Sequence, residues 1–288
     1  MESTPLVILS TASKLQDALA GASSEHQHDE YSLDLSSLAN VRLVANTINM
    51  RVADGSLPPI RALVLNAGYQ EHTEQYFSED SLDMSVQCNY LSHWLLTLML
   101  LQSMDKQRGR ILVLGSSTHD PNHPANDSVG MFKDKQWKIL LHDTHGLAKG
   151  TWSSARDDSS FKAGFRRYGA GKLCEIMMMR HAERTYASWI EGFGGRRDSR
   201  AAGSSSSITA DESKWGNSDN VKVCGRCSSR IFDSKSLGEM PKALYLNGTD
   251  VTQPSPEARD MVKQGMLWRD SITYANLQQG ETTLSDWD

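Results

Sequence analysis

Apolar residues recur along this chain in two rhythms, short unbroken runs and longer stretches spaced three or four apart, and the two alternate. Leu6-Val7-Ile8-Leu9 is a short run ending in Ser10-Thr11, followed by helical spacing from Lys14 to Ala20, which predicts strand then helix. Tyr31 to Leu35 predicts a second strand, and Ser36-Ser37 stands where it can cap a helix carrying Val41, Val44 and Ile48. Gly55 to Pro59 breaks that helix. Ile60 to Leu65 is a third strand ending at Asn66-Ala67-Gly68, and Leu82 to Leu101 is a long helical pattern. Arg110 to Leu114 is a fourth strand ending at Gly115-Ser116-Ser117, and Tyr168 to Arg180 is a further helix. Pro241 to Gly248 restores a strand and a turn, after which Met261, Met266, Leu267 and Trp268 mark a terminal helix with Trp268 in the core. Residues 182–231 break the alternation: Gly192 to Arg197 and Ser204 to Ser207 are glycine- and serine-rich with little periodicity, which predicts an irregular insert. Alternating strands and helices predict the α/β class, a parallel sheet between helices with ligands at the carboxyl ends of the strands.

Composition removes several function classes. A net charge of −5 over 288 residues gives no basic footprint for nucleic acid. No run reaches the ~18 to 20 apolar residues that cross a bilayer. Met1 to Pro5 lacks a basic segment leading into an apolar one, so no secretory signal is expected and the cytoplasm is the expected compartment. The four cysteines, at 88, 174, 224 and 227, make no disulfide scaffold in a chain this long. Cys224-Gly225-Arg226-Cys227 has the spacing of half a zinc site without a second half, so no metal is expected. Asn247-Gly248-Thr249 fits a glycosylation sequon that has no use without a signal.

The candidate chemistry lies at Tyr168-Gly169-Ala170-Gly171-Lys172. On a helix, Tyr168 and Lys172 are one turn apart on the same face. A phenol ordinarily ionises near pH ~10, and a neighbouring ammonium favours the phenolate, so this pair can exchange a proton with a substrate near neutrality without a metal.

Several motifs in order resemble the short-chain dehydrogenase/reductase family, in particular a fungal branch with a long loop between the catalytic Ser and Tyr. Leu65-Asn66-Ala67-Gly68 resembles the family's NNAG, and Asn89-Tyr90-Leu91-Ser92-His93-Trp94 its N-x-L-G-H-F. Arg110 to Ser117 resembles the strand bearing the catalytic Ser, and Tyr168 to Lys172 the Y-x-x-x-K. The resemblance covers residues 5–180, with a shorter return at 241–277, and implies one Rossmann-like, doubly wound domain over residues 1–288. It implies Tyr168 as the acid that protonates a carbonyl oxygen and Lys172 as the residue that lowers the Tyr168 pKa and holds the nicotinamide ribose. Ser117 would hydrogen-bond the reacting oxygen, with Ser116 as the alternative if the register differs by one. Asn89 would support a relay water, Asn66, Ala67 and Gly68 would pass under the cofactor, and Asp34 and Leu35 would flank the adenine.

The family's opening strand, Gly-rich turn and helix have no counterpart here, so the domain is expected to be N-terminally incomplete, with Leu6 to Leu9 as the family's second strand. Neither Ser10 nor Thr11 is acidic, which leans toward NADP, with NAD as the alternative. The implied function is an NAD(P)-dependent oxidoreductase interconverting a carbonyl and an alcohol, on a hydrophobic ketone such as a fungal secondary-metabolite intermediate. Residues 119–167, with Trp137 and Trp152, would line the substrate pocket or anchor their loop. In many relatives the helices corresponding to Leu82–Leu101 and Tyr168–Arg180 form an interface, which implies a homo-oligomer. The alternative function is a catalytically silent relative acting as an interaction or regulatory protein.

Overall fold

Extended strands satisfy their backbone by pairing with a neighbour, and the short apolar runs of this chain pair in two sheets. The computed structural model describes residues 6–9, 29–192, 206–211, 244–247 and 250–284. Strands β1 (Leu6–Leu9) and β2 (Asp29–Ser32) pair in parallel as a two-stranded sheet. A second sheet has the order β3 (Ala62–Leu65), β4 (Arg110–Gly115), β5 (Ser206–Asp211), β6 (Leu244–Asn247) and β7 (Asp250–Thr252). Its pairs are parallel except β6 with β7.

β4 is an interior strand between β3 and β5, and its residues from Ile111 to Gly115 are all buried, as a strand covered on both faces must be. β3 alternates: Leu63 and Leu65 face the core while Val64 is 41% exposed. The strand at β2 starts and ends earlier than its apolar pattern suggests, because pairing with β1 sets its limits, while Leu33 and Leu35 beyond it still turn into the core. Within residues 182–231, β5 pairs in parallel with Arg110 to Gly115 of β4. The Cys224-Cys227 pair, the predicted helix at Lys14–Ala20 and most of that insert lie outside the described residues.

Helix α1 (Leu38–Ala53) begins at Ser37, whose side chain accepts from the Asn40 amide at 3.4 Å, and it buries Val41, Val44, Ala45 and Ile48. The long apolar pattern from Leu82 is not one regular helix. Asp83 caps α2 (Met84–Val86), a π turn spans Gln87–Leu91, and α3 (Ser92–Leu100) follows, wholly buried, with Ser92, His93 and Thr97 among its apolar residues. Asp143 caps the short helix α4 (Thr144–Ala148). Helix α5 (Phe161–Gly192) is longer at both ends than the predicted Tyr168–Arg180. Its first two turns carry Arg166 and Arg167, charged residues that a pattern assigns to a surface and that the fold buries among loop carboxylates and carbonyls.

The terminal helix α6 (Met261–Ala275) starts at Asp260, which accepts from the amides of Val262 and Lys263, and ends at Asn276 in the left-handed region at φ 48°. It lies across α3 and α5. Trp268, in the core as expected, meets Trp94 edge to face at 5.4 Å and stacks on His181 at 4.9 Å. The Tyr90 and Ser271 hydroxyls share a hydrogen bond of 2.7 Å. α6 thus packs on the chain's own α3 and α5 through Trp268. Among the described residues no helix is long and apolar enough to cross a membrane.

Candidate active site

Two glycines bring α5 against the carboxyl ends of β3 and β4. A Cβ at Gly169 would stand 2.5 Å from the Thr118 carbonyl oxygen, and one at Gly171 would stand 3.1 Å from both the Asn89 Cβ and the Ser85 carbonyl oxygen. Any larger side chain would push the helix away, so these positions set Tyr168 beside the turn at Ser117–His119 and Lys172 beside the π turn.

Lys172 is 3% exposed. Its Nζ donates to the Leu114 carbonyl at 2.8 Å, at the end of β4, and stands 5.8 Å from the centre of the Tyr168 ring. A Cβ on Gly68 would lie 3.8 Å from that Nζ and 3.3 Å from Asn89 Oδ1. Asn66, Ala67 and Gly68 are exposed at the end of β3, so an open strip of backbone borders a buried ammonium. Asn89 holds this strip in place, its Oδ1 accepting from the Tyr69 amide and its Nδ2 donating to the Tyr69 carbonyl, both at 2.7 Å. That commits both polar atoms of the Asn89 side chain, which lies in the π turn.

The two serines are distinguished by their partners. Ser116 caps the turn, its hydroxyl oxygen accepting from Thr118 N at 3.3 Å and Thr118 Oγ1 at 2.9 Å. Ser117 is buried, and its hydroxyl makes no hydrogen bond among the described residues. His119 fastens the turn: Nε2 accepts from the Ser255 amide at 3.1 Å, so Nδ1 is the nitrogen that donates to the Ser116 carbonyl at 2.7 Å. Asp34 and Leu35 lie farther out. Asp34 is exposed and accepts from Ser36, whereas Leu35 is buried and its carbonyl accepts from Ser92 Oγ at 2.6 Å, one turn beyond Asn89.

Two ionic clusters flank the site, and their acids, Glu175, Glu71 and Asp83, carry no mark in the sequence pattern. Lys172 Nζ lies 3.3 Å from Glu175 Oε1 and 3.0 Å from Oε2, and His93 Nδ1 lies 3.2 Å from Oε1. Arg167 pairs with Glu71 at 2.5 Å and with Asp83 at 3.2 Å, and donates to the Ser153 carbonyl at 2.6 Å. Burial pushes the Asp83 carboxyl up to about 6, against the pull of Arg167, and raises Glu71 as well. The Cys88 thiol beside Asn89 is pushed up to about 12 by burial, which makes it a poor nucleophile. Trp137 and Trp152 meet edge to face at 6.1 Å, and the Arg166 guanidinium sits 4.0 Å above Trp137, so both rings anchor the loop before α5.

A model of the short chain dehydrogenase family matches residues 3–125. The chain is 40% identical over 307 aligned residues to short-chain dehydrogenase iccH of Talaromyces variabilis, covering 92% of this chain and 84% of that one. It is 31% identical over 191 residues to chloroplastic protochlorophyllide reductase B of Hordeum vulgare, covering 62% of this chain and 45% of that one. Two solved structures share the fold. A protein from Mycobacterium paratuberculosis superposes with a TM-score of 0.63 at 17% identity, over 96% of this chain and 85% of its own. NADPH-bound carbonyl reductase from chicken fatty liver superposes with a TM-score of 0.51 at 12% identity, over 86% and 87%.

Proposed function

Because the chain belongs to the short-chain dehydrogenase/reductase family, with its Rossmann-type parallel sheet, we propose that it is an NAD(P)-dependent oxidoreductase that interconverts a carbonyl and an alcohol. The observation that carries this reading is the meeting of Tyr168, Lys172 and the turn of Ser117 beside the exposed strip Asn66–Gly68. The strip fits a dinucleotide, since its backbone is open and the position of a Gly68 side chain is bounded by Asn89 and Lys172. Asn66, Ala67, Gly68 and Lys172 would hold it, with Asp34 and Leu35 toward the adenine. When bound, the nicotinamide supplies the hydride.

The chain's own residues supply the proton and the orientation. Tyr168 gives its phenolic proton to the carbonyl oxygen during reduction and takes it back in the reverse direction. The Lys172 ammonium favours the phenolate by its charge, so the proton moves near neutral pH. The Ser117 hydroxyl, with no partner to give up among the described residues, donates to the same oxygen. The fungal relative at 40% identity supports a fungal substrate, for which we propose a hydrophobic ketone of secondary metabolism, with NADP as the favoured cofactor. The test is oxidation of NADPH and of NADH against a panel of hydrophobic ketones. Turnover with at least one ketone, lost in Tyr168→Phe, is expected. A folded chain that binds neither cofactor would leave the silent, interacting relative as the function.

A further inference from the structure

Lys172 does not stand alone as the positive charge that activates Tyr168. Glu175, one turn further along α5, is fully buried, and His93 is 2% exposed. Two facing helices present matched pairs: Asn89 meets Gly171, and four residues on in each helix His93 meets Glu175. With the Glu175 carboxylate as the acceptor of this contact, His93 Nδ1 is the nitrogen that donates. Glu175 Oε1 thereby receives two donors, whereas Oε2 lies 3.0 Å from the ammonium outside hydrogen-bonding direction and has no donor. A buried carboxylate in that position serves the lysine electrostatically more than it serves the fold.

Resting on the reading of Tyr168 and Lys172 above, we propose that Glu175, held by His93, is a positioning residue that keeps the Lys172 ammonium at the end of β4 and moderates the field it exerts on Tyr168. Lys172 and Glu175 together present a dipole to the phenol instead of a full positive charge. The phenol keeps more of its proton as a result, which suits a donor in reduction. The neighbouring elements carry further charged or titratable groups: His119 on the turn after β4, and Tyr69 after β3, which is acted on by Glu71, Cys88, Asp83 and Arg167. Glu175 Oε2 lies within ion-pair distance of Lys172 Nζ.

Glu175→Gln keeps the shape and removes the charge. The measurement is an ultraviolet titration of the phenols, with Tyr168 isolated by subtracting the same titration of Tyr168→Phe. In Glu175→Gln, Tyr168 is expected to ionise about one pH unit lower than in the native chain, and the pH profile of ketone reduction to move the same way. Glu175→Asp, which retains the charge, is expected to leave the native value nearly unchanged. Should Glu175→Gln fail to fold, Glu175→Met, of similar volume, is compared in the same way. An unchanged or raised Tyr168 value in the uncharged variant overturns the proposal. The phenol titration needs no turnover, so a shift in an inactive chain would retain the electrostatic role and reject the oxidoreductase, and turnover without a shift would do the reverse.

Discussion

Arg167 and Lys172 are five residues apart on one helix and both are buried, yet their surroundings differ in kind. The Arg167 guanidinium is met on all sides, by Glu71, Asp83 and the carbonyls of Ser153 and Glu74. These partners come from two loops, so the arginine fastens the segment after β3 and the turn before α5 to one point. The Lys172 ammonium borders an exposed strip of backbone and a carboxylate oxygen with no hydrogen-bond donor. A saturated network rigidifies, whereas one with spare valence next to an opening can take part in chemistry. Burial of charge alone does not separate the two; the company each charge keeps does.

The comparison can be broken most severely at Tyr168. Tyr168→Phe is expected to lower kcat by about 10²- to 10⁴-fold with the melting temperature unchanged, as loss of a proton donor requires. A variant that kept its rate would move the chemistry away from the Lys172 end. Next in size, Arg167→Met leaves Glu71 and Asp83 buried without their counter-charge and is expected to cost about 3–5 kcal/mol in denaturant unfolding. A loss below ~1 kcal/mol would show that the saturated cluster does not hold the loops.

Asp83→Asn sharpens the contrast through pH. The folded chain binds a proton at Asp83 near pH 6 and the unfolded chain near its ordinary 3.8, so between those values the folded state holds more protons. Stability contributed by Asp83 therefore falls as pH rises through this window. Relative to Asp83→Asn, the native chain is expected to gain roughly 1–3 kcal/mol as pH is lowered from about 6 to about 4. Thermal unfolding across that range reads the difference, and a gain of opposite sign would place the ionised carboxylate as the favoured form. The smallest effect lies away from both clusters. Tyr90→Phe removes the buried hydrogen bond to Ser271 that docks α6 and is expected to cost about 1 kcal/mol.

Much of the architecture was readable because it rests on local signals. The apolar runs at Leu6 and Leu63, the helix after Ser37 and the turn residues Asn66-Ala67-Gly68 each state their conformation within a few positions. Tyr168 and Lys172 were found because their spacing is itself the signal. Glu175 is not legible in the sequence because a single acid in the run Leu173 to Met179 has nothing local to mark it as buried; its partner His93 lies 82 residues away. Arg167 is the same case at greater distance, since Glu71 lies 96 residues upstream. The π turn at Gln87–Leu91 leaves the apolar pattern almost intact and so escapes a search for period. The cover that α6 places over α3 and α5 depends on where the chain returns in space, which no window of sequence contains.

The most direct test of the claim that the Lys172 end of α5 is a cofactor-dependent centre is a titration of the native chain with NADPH, followed by tryptophan fluorescence and by melting temperature. Saturable binding that stabilises the chain, survives Tyr168→Phe and is weakened at least tenfold in Lys172→Met is the predicted result. A folded chain whose fluorescence and melting temperature do not respond to NADPH or NADH would contradict it.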